Sequence, residues 1–391
     1  YEITLMTKKD LDSYLCSLVD KGGSDLHLKS ASLVYGRFNG EIMPLSEENL
    51  DPSDAVAIAN ELLGAKFDEF MDKKDIDFSY KLNDEYCFRV NMFLQINGIS
   101  AVFRVTPTKI PTIKDLNLPS VIEKICTETT RGIILVTGPT GSGKTTTLAS
   151  MINFINQTKR SHIVTIEDPI EYVFNDDKSI INQRSIGADA LNFSDALRAS
   201  LREDPDIILV GEMRDLETIE TAIRAAETGH LVLSTLHTLD AKESVNRIVN
   251  SFPQGERDKV SLMFSSVLAC VISQRLVKTL FGTRRPAVEI MRKNTRIKEL
   301  ISEEKFDEID LAIAESKNTY GMQTFDQHLL ELYENKIISA EVALDNASNR
   351  GDLQLKIKSS NVAGFSFENG VNFGKPQSKQ DQPEVIALKE I

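Results

Sequence analysis

Residues 138–145 have the types and spacing of a loop that binds the phosphates of a nucleotide. They read Gly-Pro-Thr-Gly-Ser-Gly-Lys-Thr and match the pattern G-x-x-x-x-G-K-[ST]. The glycines let successive N–H groups converge on a polyphosphate, Lys144 adds a cation near the β- and γ-phosphates, and the Thr145 hydroxyl can coordinate Mg²⁺. Thr145 is therefore the candidate metal ligand, and the candidate nucleotide-binding residues are Gly138, Pro139, Thr140, Gly141, Ser142, Gly143, Lys144, Thr145 and Thr146.

A chance glycine-rich turn is the alternative, and the residues on either side of the loop argue against it. Residues 133–136 are all apolar and predict a short buried strand, and a helix is predicted to begin where the loop ends. Strand, loop and helix thus come in the order that the motif requires. The amino end of such a helix also favours a bound anion. We predict that the chain binds a nucleoside triphosphate.

Two acidic residues just beyond apolar strands are candidate catalytic residues. Glu167 follows one strand, and Glu212 follows another after Gly211. Such a carboxylate can polarise the attacking water or hold part of the Mg²⁺ shell, and Glu212 is the stronger candidate for the base. Many enzymes with this loop carry aspartate where this chain has Gly211, so we expect Mg²⁺ to depend on Thr145, water and Glu167. Helix capping is the alternative role, and spacing alone leaves it open.

Two histidines accompany a fourth apolar strand. His230 and His237 are seven residues apart, and we predict that they lie on one strand and face opposite sides of the sheet. A shared metal site is not expected, because no cysteine or acid is spaced to complete one. For His230 a packed, hydrogen-bonded side chain is the favoured interpretation. His237, at the functional edge of the sheet, could sense a γ-phosphate.

The elements that position these residues are predicted to form two domains. Residues 1–105 predict an α+β domain without a catalytic cluster, and residues 106–112, with two prolines, are the predicted linker. Residues 113–358 predict an α/β domain with a mostly parallel sheet, whose functional residues collect at the carboxyl ends of its strands. Residues 359–391 show little periodicity and predict a disordered tail.

The expected elements of the two domains follow from periodicity and turn signals. In the first domain we expect two helices and four strands, with turns at Asn83-Asp84 and Asn97-Gly98. The helices are predicted after the capping residues Thr7 and Asp51, and the strands over 24–28, 76–80, 86–92 and 99–105. In the second domain the predicted strands are 133–137, 162–166, 207–210 and 231–236.

Composition limits the classes of partner. The formal net charge is −13 and no basic stripe accompanies the motifs, so nucleic acid is not an expected partner. No apolar run reaches the roughly 18 residues needed to cross a bilayer, and no signal peptide is expected. The four cysteines show no C-x-x-C pairing, which is typical of a reducing cytosol.

Four motifs in order resemble those of the secretion ATPases. The resemblance is to the Walker A, Asp box, Walker B and His box of the GspE/PilT superfamily, and within it to the type IV pilus retraction ATPases, the PilT-like members. It extends to about residue 358. In this chain the four motifs are GPTGSGKT at 138–145, IEDPIE at 166–171, LREDPDIILVGEMRD at 201–215, and AETGHLV at 226–232 followed by TLHT at 235–238.

The resemblance implies a PAS-like amino-terminal domain and a RecA-like ATPase domain. It implies Glu212 as the catalytic glutamate, Glu167 in the Asp box, and His230 and His237 in the His box. Arginines of the small domain reach the nucleotide in this family, and the matching positions are Arg89 and Arg104. Salt-bridged residues on the strand surface are the alternative interpretation for both.

The resemblance also implies a cellular role and partners. It implies a cytoplasmic homo-hexamer at the inner face of the cytoplasmic membrane, peripheral and not spanning it. This hexamer would hydrolyse ATP with Mg²⁺ to drive pilin disassembly, and hence pilus retraction in twitching motility. The implied partners are an inner-membrane platform protein and a paralogous retraction ATPase. Force is expected from rotation of the small domain about the 106–112 linker.

Two features bear on the class within the superfamily. Assembly and type II secretion relatives carry a tetracysteine zinc module after the segment matching 272–280, and this chain continues to residue 290 without a cysteine. That favours the retraction class. The retraction motif Ala-Ile-Arg-Asn-Leu-Ile-Arg-Glu matches 296–303, but Arg296, Glu299 and Ser302 depart from it. An assembly or type II secretion ATPase, an accessory PilU-like paralogue and a nucleotide-gated regulatory protein with little turnover remain alternatives.

Overall fold

A computed structural model of the chain describes residues 6–38, 40–83, 86–106 and 109–359. The described residues divide into two compact units, one drawn from 6–112 and 148–234 and the other from 113–147 and 235–359. The domain bounds expected from the sequence stay a prediction. Asp84 of the expected turn, residues 107–108 of the expected linker and residues 360–391 of the expected tail lie outside the described residues, and Ser359 ends a helix.

A six-stranded antiparallel sheet is the framework of residues 6–106. Its strands lie in the order β3-β2-β1-β6-β5-β4. Both predicted helices and all four predicted strands are confirmed, and β2, β3 and α3 are additional. The elements are α1 (Lys8–Asp20), β1 (Asp25–Lys29), β2 (Tyr35–Phe38), β3 (Glu41–Pro44), α2 (Pro52–Leu63), α3 (Phe67–Lys73), β4 (Asp75–Lys81), β5 (Cys87–Gln95) and β6 (Gly98–Thr106).

Helix α1 shows how local signals produce these elements. The Thr7 N–H donates to the Asp10 carboxylate at 2.8 Å, which completes the predicted capping box. Leu11, Leu15 and Leu18 recur at helical spacing and are buried in the core of this part of the chain. Amphipathic packing of this kind, rather than helix propensity, provides most of the stability of such a helix.

A seven-stranded, mostly parallel sheet organises the rest of the chain. The strand order is β13-β12-β7-β11-β10-β8-β9, and β10 pairs in parallel with both β8 and β11. Strand β12 is parallel to β7 and antiparallel to β13. The four predicted strands are confirmed. The strands are β7 (Gly132–Thr137), β8 (His162–Glu167), β9 (Ile180–Ser185), β10 (Ile207–Val210), β11 (Leu231–Leu236), β12 (Leu268–Lys278) and β13 (Arg284–Arg292).

Helices connect these strands, as the predicted α/β class requires. No helix within the described ranges is both long and apolar enough to span a membrane. The helices are α4 (Val121–Glu128), α5 (Lys144–Thr158), α6 (Phe193–Ser200), α7 (Leu216–Glu227), α8 (Ala241–Asn250), α9 (Arg257–Val267), α10 (Thr295–Ser302), α11 (Ile309–Glu315), α12 (Lys317–Tyr320), α13 (Phe325–Glu334), α14 (Ala340–Asp345) and α15 (Arg350–Ser359).

Candidate nucleotide site

The predicted phosphate-binding loop joins the end of β7 to the start of α5. Gly138, Gly141 and Gly143 have φ angles of 144°, 77° and 86°, a region that other residues rarely adopt. A methyl group at Gly138 would lie 2.3 Å from the carbonyl oxygen of Gln274, so no larger residue fits there. Backbone conformation therefore favours glycine at all three positions, and lack of space requires it at Gly138.

The polar groups of the loop fit a phosphate. The Lys144 ammonium is buried and donates to the carbonyl oxygens of Gly138, at 2.9 Å, and Pro139, at 3.0 Å. The Ser142 Oγ is also buried and has no hydrogen-bond partner within the described part of the chain. A buried orphan hydroxyl is costly unless a ligand satisfies it. Together with the first turn of α5, which includes Thr145 and Thr146, these groups suit a polyphosphate with its Mg²⁺.

Gln274 on β12 supports the loop, and it is not among the residues predicted from the sequence. Its side-chain amide donates to the Ser142 carbonyl oxygen, and its Oε1 accepts a hydrogen bond from Thr147 Oγ1 at 2.8 Å. Next to it, Thr137 Oγ1 donates to Ser273 Oγ at 2.9 Å. The polar pair Ser273-Gln274 interrupts an otherwise apolar run, and that interruption was the available signal.

Glu167 ends β8 with its carboxylate buried. Thr165 Oγ1 donates to it at 2.6 Å and the Gln183 amide at 3.3 Å. Burial raises the pKa of Glu167 to about 7, although the bonds from Thr165 and Gln183 oppose the rise. The group can therefore exchange a proton near neutral pH, which suits a residue that assists proton transfer.

Glu167→Gln is expected to flatten the dependence of stability on pH. Because the folded state keeps this proton to a higher pH than the unfolded chain, it binds more protons between about pH 4.5 and 7, and stability falls as pH rises through that window. At pH 8 the free energy of unfolding of the variant should exceed that of the native chain by up to about 3 kcal/mol. Urea unfolding of nucleotide-free protein at pH 5 and pH 8 measures this difference. Glu227→Gln, an exposed control, should keep the native pH profile.

Glu212 lies two residues beyond the end of β10, beside the end of β8. The Gly211 N–H donates to the Ile166 carbonyl oxygen at 2.8 Å, which sets Glu212 and Glu167 at the same edge of the sheet. Glu212 is 17% exposed and pairs with Arg214 at 2.8 Å. Because the arginine is largely exposed, the pair adds little stability.

The backbone at Gly211 lies close to the end of β8. A methyl group at Gly211 would lie 3.3 Å from the Ile166 carbonyl oxygen and 3.4 Å from the Glu167 Cα. An aspartate here would crowd the end of β8. The capping alternative applies instead to Asp215, which accepts hydrogen bonds from the Thr218 N–H at 2.8 Å and the Thr218 hydroxyl at 2.7 Å.

The two histidines flank a strand and do not lie on it. Strand β11 spans Leu231–Leu236, so the prediction that His230 and His237 share one strand was wrong. The run of strand-forming residues begins one residue after His230 and ends one residue before His237. His230 Nδ1 donates to the Ala225 carbonyl oxygen at 2.9 Å, in line with a packed, hydrogen-bonded side chain. His237 is exposed at the carboxyl end of the strand.

A row of charges crosses the exposed face of the amino-terminal sheet. Arg89 on β5 is directly opposite Arg104 on β6, and Asp25 on β1 is opposite both Arg104 and Arg37. The Arg104 Nε donates to Asp25 at 2.8 Å, so the salt-bridge interpretation holds for Arg104. Burial opposes ionisation of Asp25, but bonds from Arg104 and Ser24 prevail and lower its pKa.

Arg89 differs from Arg104 in its surroundings. It is exposed, and within the described ranges it has no salt-bridge partner. Like charges directly opposite on paired strands destabilise a sheet. An anion that both arginines contact would offset this repulsion. Action of Arg89 and Arg104 on a nucleotide stays a prediction.

Comparison with known proteins identifies the family. Residues 6–348 match the family model of type II/IV secretion system proteins. The chain belongs to this family. It is 44% identical over 342 residues to the type IV pilus retraction ATPase PilT of Pseudomonas aeruginosa, covering 86% of this chain and 98% of that protein. The type IV pilus ATPase PilU of the same organism is 36% identical over 354 residues, covering 89% and 91%.

A solved relative carries a nucleotide. A crystal structure of the pilus retraction motor PilT with bound ADP matches with a TM-score of 0.80 and 43% identity, covering 88% of this chain and 99% of that one. The predicted resemblance and fold class are therefore confirmed, and the protein is an ATPase of this family. The ADP of that structure supports nucleotide binding.

Two further segments are those on which the expected class within the family depended. Strands β12 and β13 are joined by a short turn, in which the Thr279 N–H donates to the Thr283 carbonyl oxygen at 2.8 Å. This turn is at the position where the resemblance places the zinc module of the assembly relatives. In α10, Ile297, Leu300 and Ile301 are buried, so the amphipathic spacing of the retraction motif is kept.

Proposed function

We propose that this ATPase retracts type IV pili, driving twitching motility as a homo-hexamer at the inner face of the cytoplasmic membrane. The observation that carries the proposal is similarity over almost the whole length of a retraction ATPase, with a short turn in place of the zinc module. An inner-membrane platform protein receives the force. Rotation of the small domain about residues 106–112, a hinge-type motion, generates it.

In this proposal the described residues divide the work of hydrolysis. Lys144 and the loop amides hold the phosphates, and Thr145 holds Mg²⁺, which neutralises phosphate charge when bound. Glu212 orients or deprotonates the attacking water, assisted by Glu167. The guanidinium groups of Arg89 and Arg104 stabilise charge on the transferred phosphoryl group.

A strain that carries this motor alone tests the function. Deletion of the gene should leave pili extended and abolish twitching, and re-expression of the native chain should restore retraction. Glu212→Gln should not restore it. Loss of pili in the deletion strain would contradict the proposal and indicate an assembly motor. Negligible turnover by the purified native protein would indicate a regulatory nucleotide-binding protein.

An accessory role beside a second retraction ATPase is the other candidate. The altered polar face of α10 favours it, since Arg296 stands where the motif has alanine and pairs with Glu315 on α11. Retraction that occurs only when a paralogue is also present would assign this role. Retraction by the single-motor strain would exclude it.

A further inference from the structure

The tip of the β12–β13 hairpin, residues 279–283, presents apolar side chains to solvent. Phe281 is 78% exposed and Leu280 is 47% exposed. Apolar surface that remains in water contributes nothing to the hydrophobic stabilisation of the fold. An aromatic and an aliphatic side chain exposed together at a loop tip are a candidate contact with something outside the chain.

Hydrogen bonds fix the shape of this tip. The Phe281 N–H donates to Thr279 Oγ1 at 3.3 Å, and Thr279 and Thr283 bond to each other through backbone and side chain. The Leu280 N–H donates to the Ile337 carbonyl oxygen at 2.9 Å, which ties the tip to the loop between α13 and α14. The tip holds Phe281 outward before any partner arrives, so binding requires little further ordering.

Cations without acidic partners surround the tip. Lys278 and Arg284 are opposite each other at the last register position of the hairpin, and Lys336 precedes the residue that anchors Leu280. All three are exposed, and none forms a salt bridge within the described part of the chain. They form a local positive group on a chain whose net charge is −13.

Arg285 adds a second observation of the same kind. Its Nε is buried and has no hydrogen-bond partner among the described residues. The carboxylate whose charge acts on it, Glu331, pairs with Lys317 at 3.4 Å and is not hydrogen-bonded to Arg285. Arg285 therefore adds a fourth positive charge to the hairpin, although its buried Nε does not itself face an outside phosphate.

We propose that the hairpin tip binds an anionic phospholipid surface, with Leu280 and Phe281 entering the headgroup region and the three exposed cations meeting lipid phosphates. A lipid surface is apolar within and negatively charged outside, and it therefore matches an apolar tip with cations beside it. The inference rests on the proposed placement of the motor at a membrane, and its test measures lipid binding apart from retraction.

Vesicle flotation of the full-length protein tests the proposal. The native chain should float with vesicles of equal parts phosphatidylglycerol and phosphatidylcholine and not with pure phosphatidylcholine. Phe281→Ser should lower binding about tenfold, because the buried phenyl ring is lost. The double variant Lys278→Gln/Arg284→Gln should lower it roughly 25-fold, since each cation near an anionic surface is worth about fivefold in binding.

Matched variants show whether the tip itself is responsible. Lys124→Gln/Lys259→Gln removes two other exposed cations, and Leu355→Ser removes another exposed apolar side chain, so both should bind like the native chain. Turnover and ring mass in lipid-free solution should be native in every variant. Equal lipid binding by all variants overturns the proposal. Loss of ring mass in the tip variants also overturns it and makes the tip a contact between copies of the chain.

Discussion

Glu212→Gln is expected to lower the ATP turnover of the purified protein by about 10²- to 10⁴-fold, the usual contribution of a positioned general base. The amide has nearly the shape of the carboxylate but cannot accept a proton from water. ATP affinity should stay close to native, since the phosphate-binding groups of the loop are unchanged. Single-turnover hydrolysis and equilibrium binding of a fluorescent ATP analogue measure the two quantities separately.

Asp215→Asn is the matched control for this change. Both substitutions convert a carboxylate to an amide in the segment after β10, but Asp215 caps α7 through Thr218, and asparagine caps a helix about as well. The control should therefore keep native turnover and stability. Loss of the exposed Arg214 pair costs Glu212→Gln at most about 1 kcal/mol of stability. Native turnover in Glu212→Gln would remove this residue from the role of base.

The phosphate-binding half of the site could be predicted from sequence because its parts are adjacent in the chain. Strand, glycine loop, Lys144 and helix all lie within residues 132–158. Gln274 could not be predicted in the same way, since it reaches the loop through the pairing of β12 with β7. The steric reason for Gly211 likewise depends on the pairing of β10 with β8.

Several strands that the sequence patterns did not predict lack the alternation of a half-buried strand. Every residue of β3 is exposed, so this strand has no apolar alternation to find, and β9 at the sheet edge is mostly half-exposed or exposed. Strand β12 begins with five consecutive apolar residues, 268–272, a pattern that a buried helix shares. Pairing with neighbouring strands determines that these segments are strands, whereas the local apolar periodicity is enough to predict helices α1 and α2.

The arrangement of Arg89 and Arg104 depends partly on local sequence and partly on strand pairing. Each strand was predicted, and the register that sets the two arginines opposite each other follows from the two-residue turn between Gln95 and Gly98. What the sequence could not supply is the asymmetry between them, which arises from Asp25 on β1. Asp25 pairs with Arg104, whereas Arg89 has no such partner in the described part of the chain.

Arg89→Ala is expected to lower turnover by about 10³-fold or more, the range found for arginines that stabilise charge on a transferred phosphoryl group. Its stability should be native or slightly higher, by at most about 1 kcal/mol, because the substitution removes a like charge opposite Arg104. A large loss of activity without loss of stability would show that Arg89 acts on the ligand and does not stabilise the fold. Steady-state turnover and thermal unfolding measure both.

Neighbours in the same charged row make the test specific. Arg37→Ala removes a cation that pairs with Asp25 at 3.7 Å, and it should keep native turnover. Arg104→Ala should lose turnover and stability together, because it leaves the buried Asp25 carboxylate without its 2.8 Å partner. Arg89→Lys keeps the charge but not the forked donor, so it should restore only part of the activity. If Arg89→Ala hydrolyses ATP at the native rate, Arg89 does not act on the transferred phosphoryl group and is a surface residue.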